Sequence, residues 1–221
     1  MEDNADTHSG TLVTVLDALR VVQRLVDVSD ARGEVMRGPV VLAGGSAMAA
    51  LAIRPMSEDI DLWVASLSDQ VVHDVEAELR ATFGPAARLD VTSTENLWGV
   101  ILVRDIATSP LVGEVVSRQG PVEVRALRAE DLFILKVGAG RAKDRHDLRL
   151  LAMRTDPAGL VTRFNTLVAW HGDRGAVLGF ADAFVAALVS HFGADPRGVI
   201  EDLEVPPYIR DALRESHADG T

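Results

Sequence analysis

The stretch from Val40 to Val64, VVLAGGSAMAALAIRPMSEDIDLWV, constrains this chain more than any other segment. Val40 to Ala43 is short and fully apolar, which predicts a buried strand. Gly44-Gly45 then breaks the run, and two glycines at the end of a strand let the backbone approach a ligand closely. Ser46 to Ile53 predicts an alanine-rich helix. Its opening N–H groups and dipole favour a phosphate, and Ser46 adds a hydroxyl donor. Arg54-Pro55 ends that helix, because proline disfavours helical geometry in the residue before it. Asp59 to Val64 alternates charged and apolar side chains, the pattern of a strand with one wet face.

Asp59 follows Ser46 by thirteen residues, and Asp61 comes two further on. On a strand, positions two apart share a face and lie roughly 6–7 Å from each other. Two carboxylates so placed can converge on one or two divalent cations, an arrangement that activates an attacking hydroxyl and steadies a leaving pyrophosphate. Ile60, Leu62 and Val64 would fill the opposite, buried face. A glycine pair alone is often a plain turn, and Asp-x-Asp alone is often a solvated edge. The order and spacing of the three signals together favour a functional site.

The rest of the 221 residues frames that segment. Residues 1–10 read as a loose polar tail. Apolar positions Leu12, Val15, Leu16, Leu19, Val22 and Val26 predict a first helix, and Gln70 to Phe83 predicts a second amphipathic one, stopped by Gly84-Pro85. Residues 88–92, 99–103 and 122–126 are further strand candidates. Residues 129–137 and 144–153 read as two helices separated by Gly138 and Gly140, and from Leu160 onwards the pattern is helical. This predicts an α/β (α+β) fold, a mixed sheet flanked by helices with a helical C-terminal region. The expected divisions are the tail 1–10, a sheet domain over 11–153 and a helical region over 154–221.

Composition narrows the chemistry. There are no cysteines, which excludes disulfides and thiolate zinc sites, and the six histidines are scattered. Any metal should therefore be a hard cation held by carboxylates. The net charge of -11 argues against indiscriminate nucleic-acid binding, although a local basic stretch runs from Arg141 to Arg154. No apolar run reaches the roughly 18 residues of a membrane span. The N-terminus lacks the pattern of a secretion signal, so a cytoplasmic location without membrane attachment is expected. Among 22 basic residues only Lys136 and Lys143 are lysines, and both fall in one short segment.

The Gly-Gly-Ser turn followed by Asp-x-Asp resembles the signature of the nucleotidyltransferase superfamily. More closely, the chain resembles minimal bacterial members of the abortive-infection-toxin-like type. Those proteins carry a downstream helical motif with a lysine and paired aspartates. Here it reads AEDLFILKVGAGRAKDRHDLRLL, residues 129–151, with Lys136, Lys143, Asp144 and Asp147 at the matching positions. The resemblance covers residues 38–152. It implies a nucleotidyltransferase fold in which Gly44, Gly45 and Ser46 hold the triphosphate of an NTP such as ATP. Asp59 and Asp61 would bind magnesium or manganese, and a third carboxylate on a later strand would complete the site and serve as base. Asp90 is the preferred candidate for that carboxylate and Glu123 the alternative. It further implies a phosphate-facing Lys136, with Asp147 orienting a basic side chain. The acceptor would be a tRNA, protein or other hydroxyl, and a toxin would bring an antitoxin partner.

Blander readings stand beside these. Asp144 and Asp147 share a helix face and could simply pair with Lys143 and Arg145 on the surface. Arg54, just before the acidic strand, could touch phosphate but reads first as a solvated helix end, His146 reads as a surface residue before a general base, Trp63 and Trp98 as core before base-stacking groups, and Phe180, Phe184 and Phe192 as core or interface. Two other function classes fit less well. One is a non-catalytic nucleotide- or partner-binding module. The other is a glycosyltransferase, whose Asp-x-Asp would leave the Gly-Gly-Ser turn without a role.

Overall fold

The computed structural model describes residues 12–92, 113–168 and 174–218. The expected tail 1–10, the strand at 99–103 and Trp98 lie outside the described residues. By compactness the chain divides into two units. The first holds the described residues through Thr92 together with Gly113–Ala126, and the second begins at Leu127. The sequence-based division at 153 falls inside the second unit.

The first unit opens with α1 (Val15–Ala31). Thr14 caps it: its hydroxyl accepts from the Asp17 N–H, and the Asp17 carboxylate accepts in turn from the Thr14 N–H. This reciprocal box satisfies two of the donors that every helix start leaves open. Ala18, Val21, Val22, Leu25 and Val26 form its buried stripe. Next come β1 (Val40–Leu42), α2 (Gly44–Ala50) and β2 (Ile60–Trp63). The helix starts two residues earlier than the sequence predicts, because the glycines themselves enter its first turn. Then follow α3 (Asp69–Phe83), capped by Ser68, and the strands β3 (Leu89–Thr92), β4 (Glu114–Gln119) and β5 (Val122–Ala126).

The sheet runs in the order β3-β2-β1-β5-β4. β1 is central, antiparallel to β2 and parallel to β5, while β3 joins β2 in parallel and β4 joins β5 in antiparallel. All three β1 residues are buried, which is why that strand reads as an unbroken apolar run. β4 was not predicted. It is an edge strand with mostly exposed or half-buried side chains and a register shift between Val115 and Ser117, so its periodicity is blurred. α1 packs on α3, α2 and β4, and α3 packs on β3.

The second unit is helical: α4 (Ala129–Ala139), a 3-10 turn (Ala142–Asp144), α5 (Arg145–Ala152), α6 (Pro157–Val168), α7 (Arg174–Phe192), α8 (Pro196–Asp202) and α9 (Pro207–Ser216). Its core gathers Phe133, Phe164 and Phe184, all fully buried, with Phe164 stacked on Phe184 at 4.3 Å between ring centroids. Among the described residues no helix is long and apolar enough to cross a membrane.

Candidate functional site

Two clusters hold the residues that the sequence singles out, one in each unit. The first forms where β1 turns into α2 alongside β2. The antiparallel register sets Leu42 opposite Leu62, and the Ala43 N–H donates to the Asp61 carbonyl at 2.9 Å. Asp61 therefore lies just past the end of β1, beside the glycine corner. The Gly45 N–H donates to Asp61 Oδ2 at 3.2 Å. Ser46 is buried, and its hydroxyl ties helix to strand: it donates to the Asp59 carbonyl at 3.2 Å and accepts from the Asp61 N–H at 3.4 Å. The hydroxyl expected to meet a phosphate is thus turned to β2 here.

Both glycines are required sterically. Gly44 has φ +45°, and a Cβ there would fall 1.9 Å from Asp61 Oδ2. A Cβ on Gly45 would fall 2.1 Å from Arg54 Nη2 and 2.2 Å from Ser57 Oγ. The corner is stripped of side chain so that a carboxylate can close on one side and a guanidinium on the other. Arg54 Nη2 donates to Ser57 Oγ at 3.0 Å, and that hydroxyl lies 3.4 Å from Asp59 Oδ1. Ser57 is itself pinned by paired 2.8 Å backbone hydrogen bonds with Val13. Arg54, read from sequence as a solvated helix end, therefore belongs to the corner. The arginine before a proline gives no sign of this, because the contact depends on the chain doubling back through Ser57.

Asp90 is the register partner of Asp61 on the parallel strand β3, so the two side chains stand on the same face. Asp90 is solvent-accessible, yet the protein around its carboxyl, and then the negative charge of Asp59, raise it above the ordinary carboxylate value. Glu123 is placed differently. β5 sets Val124 beside Val40, at the opposite end of β1 from Ala43, and Glu123 pairs with Arg125 at 2.9 Å. The geometry thus brings together Gly44, Gly45, Ser46, Asp59, Asp61 and Asp90, and leaves Glu123 apart. Trp63 is buried in the core.

The donor set suits a hard divalent cation: Asp61 and Asp90 stand on adjacent strands, Asp59 sits in the bend just before β2 rather than on the strand that the alternation predicts, and Asp90 is already perturbed by the charge of Asp59. Among the described residues, however, no three acidic or histidine side chains stand ready as a cation cage. The reason is visible in their contacts, since Asp61 reaches to the Gly45 N–H and Asp59 to Ser57.

The second cluster lies in the helical unit. Lys136, on α4, is buried and its Nζ sits 2.7 Å from both Asp144 Oδ1 and Asp147 Oδ2. Arg141 Nε closes on the other Asp144 oxygen at 2.7 Å. Burial by itself would raise the Asp144 carboxyl. The hydrogen bonds from Arg141 and Lys136, and their charges, outweigh it and hold the group below its ordinary value. Asp144 and Asp147 do share one side, as their spacing predicts, but their partner is Lys136 rather than the exposed Lys143 and Arg145. The pairing crosses a helix break: α4 must end at Gly140, in the left-handed conformation, for the chain to fold back onto it. A third buried acid, Asp131, is paired with Arg163 of α6 and carries no signal in the sequence.

No protein-family model matches the chain, and no curated protein matches it. Among solved structures it is similar to an antigenic nucleotidyltransferase-like protein from Paracoccidioides brasiliensis. The two share 14% identity at a TM-score of 0.47, over 90% of this chain and 98% of that one.

Proposed function

We propose that the chain is a metal-dependent nucleotidyltransferase that moves a nucleoside monophosphate from an NTP to a hydroxyl acceptor. The observation that carries this reading is the closure of Asp61 onto the Gly45 N–H, with Asp90 as its register neighbour and Asp59 acting on Asp90. Asp59, Asp61 and Asp90 would hold magnesium or manganese, exchanging the Gly45 and Ser57 hydrogen bonds for the cation. The bound cation would supply Lewis-acid stabilisation of the phosphoryl oxygens and neutralise the departing pyrophosphate. The residues' own part is positional. The side-chain-free backbone at Gly44 and Gly45 admits a polyphosphate, and the Arg54 guanidinium flanks it with positive charge. The acceptor oxygen would bond to the α-phosphorus as the bond to the β-phosphate oxygen breaks. Its proton would pass to the Asp90 carboxylate, whose raised pKa suits a base.

The acceptor is proposed to be a tRNA or a protein hydroxyl, and an antitoxin partner would follow if the chain is a toxin. The proposed nucleotide contacts of Lys136 and Asp147 would require Lys136 to leave at least one of its two carboxylates. We therefore place Arg54 and the glycine corner first in phosphate contact.

The test is transfer of α-labelled nucleotide to RNA and protein acceptors with and without magnesium. Asp61→Asn should lower the rate about a thousandfold, because a catalytic cation contributes several kcal/mol and about 1.4 kcal/mol is a factor of ten. Absence of any metal-dependent product would overturn the reading. A non-catalytic binding module is the second reading, favoured by the lack of a ready cation cage among the described residues. Calorimetry separates the two, since nucleotide binding unaffected by magnesium or by Asp59→Ala supports the module.

A further inference from the structure

α5 and α7 border a cavity of about 500 Å³ lined by Arg145, Arg149, Ser190 and His191. Arg145 and Arg149 are four positions apart on α5, so they share one face. Both are exposed, and neither makes an ion pair among the described residues. Two like charges held together without a counter-ion repel each other, and no carboxylate lines the cavity to offset them. His191 completes the lining from the last turn of α7. Its ring is set edge-on against Phe133 of α4, 5.9 Å between centroids at 81°.

We infer that this cavity binds a phosphate group. Guanidinium forks match phosphate oxygens with paired, charge-assisted hydrogen bonds, and the Ser190 hydroxyl and the imidazole N–H add neutral donors around them. The proposal uses none of the residues assigned to the metal and nucleotide site, and the glycine corner and its three carboxylates belong to the other unit. The electrostatics agree. Burial and then the Arg149 charge lower the His191 pKa, so the ring already senses a positive field that an anion would relieve. The phosphate belongs either to a small phosphorylated molecule or to the end of a nucleic-acid strand, and the chemistry of recognition is the same.

The test follows the His191 ring resonances of the full chain by NMR. The probes are inorganic phosphate, adenosine monophosphate, and a short oligonucleotide with and without a 5′-phosphate. A saturable His191 shift with inorganic phosphate is expected, weakened about tenfold by Arg149→Gln and unaffected by Asp61→Asn. Tighter binding of the phosphorylated oligonucleotide, but not of its 5′-hydroxyl form, identifies a strand end. Tightest binding of the mononucleotide identifies a small molecule. No saturable shift with any probe, or an equal shift in the Arg145→Gln/Arg149→Gln double variant, overturns the proposal.

Discussion

A lysine with two carboxylates on its ammonium is a single electrostatic object, and its parts cannot be removed singly without penalty. Lys136, Asp144 and Asp147 are all buried, so deleting the cation removes the ammonium that both acids share and leaves them under-compensated in a poorly solvated place, even with Arg141 still on Asp144. Lys136→Met should lower stability by about 3–5 kcal/mol in urea unfolding. Adding Asp144→Asn and Asp147→Asn to that variant should restore much of the loss, which a lysine acting only on a ligand would not show. The same cluster sets an acid limit. Asp144 is held below the usual value of 3.8, so it stabilises the fold fully above that pH, and the contribution is lost as pH falls below 3.8 through its lowered native pKa. Unfolding midpoints of the wild type and Asp144→Asn, followed downward from pH 5, should converge in that range. Midpoints that keep a constant gap would remove Asp144 from the acid response.

At the scale of elements, the polar corner depends on helices that begin in the right place. α1 is fixed by Thr14 and Asp17, and the residue just before that cap, Val13, is the one that pins Ser57. Thr14→Ala should cost about 1 kcal/mol of stability through loss of the cap. Because Val13 is adjacent, amide exchange at Ser57 should accelerate in the same variant. Unchanged exchange at Ser57 would show that the cap and the corner are uncoupled. α2 owes its placement to the glycines: it starts where the Asp61 carboxylate needs a bare backbone, not where the alanine-rich run becomes helical by propensity. Asp61 was recognisable because strand alternation is a local property, whereas Asp59 lies in the bend just before β2. The roles of Ser46 and Arg54 were not recognisable, because each depends on a hydrogen bond to a residue that reaches it only after the turn at Pro55.

For the whole molecule, the sheet unit is discontinuous in sequence. β1 takes its parallel partner β5 from beyond residue 113, so a chain ending at Thr92 keeps β1, β2 and β3 but leaves one edge of the central strand unpaired. A fragment of residues 1–92 should not fold, whereas 1–126 should keep native-like dispersion in an amide NMR spectrum. A well-dispersed 1–92 spectrum would contradict this dependence. The net charge of -11 belongs to this scale as well. On so acidic a chain, Arg145 and Arg149 form a local exception rather than part of a broad basic surface, which favours a defined phosphate over diffuse binding.

Legible in the residues alone were the buried β1 run, the Gly44-Gly45 break, the α/β order and the helical character of the C-terminal part. Each of these follows from a period of two or 3.6 residues, or from backbone limits at glycine and proline, and needs only neighbouring positions. Tertiary structure alone decided the strand β4 and the choice of Asp90 over Glu123 beside Asp61. It also decided the capture of Lys136 by Asp144 and Asp147, and the place of Arg54 at the glycine corner. Those depend on strand register and on helices folding back across many residues, and no local pattern in the chain records which distant side chain will arrive.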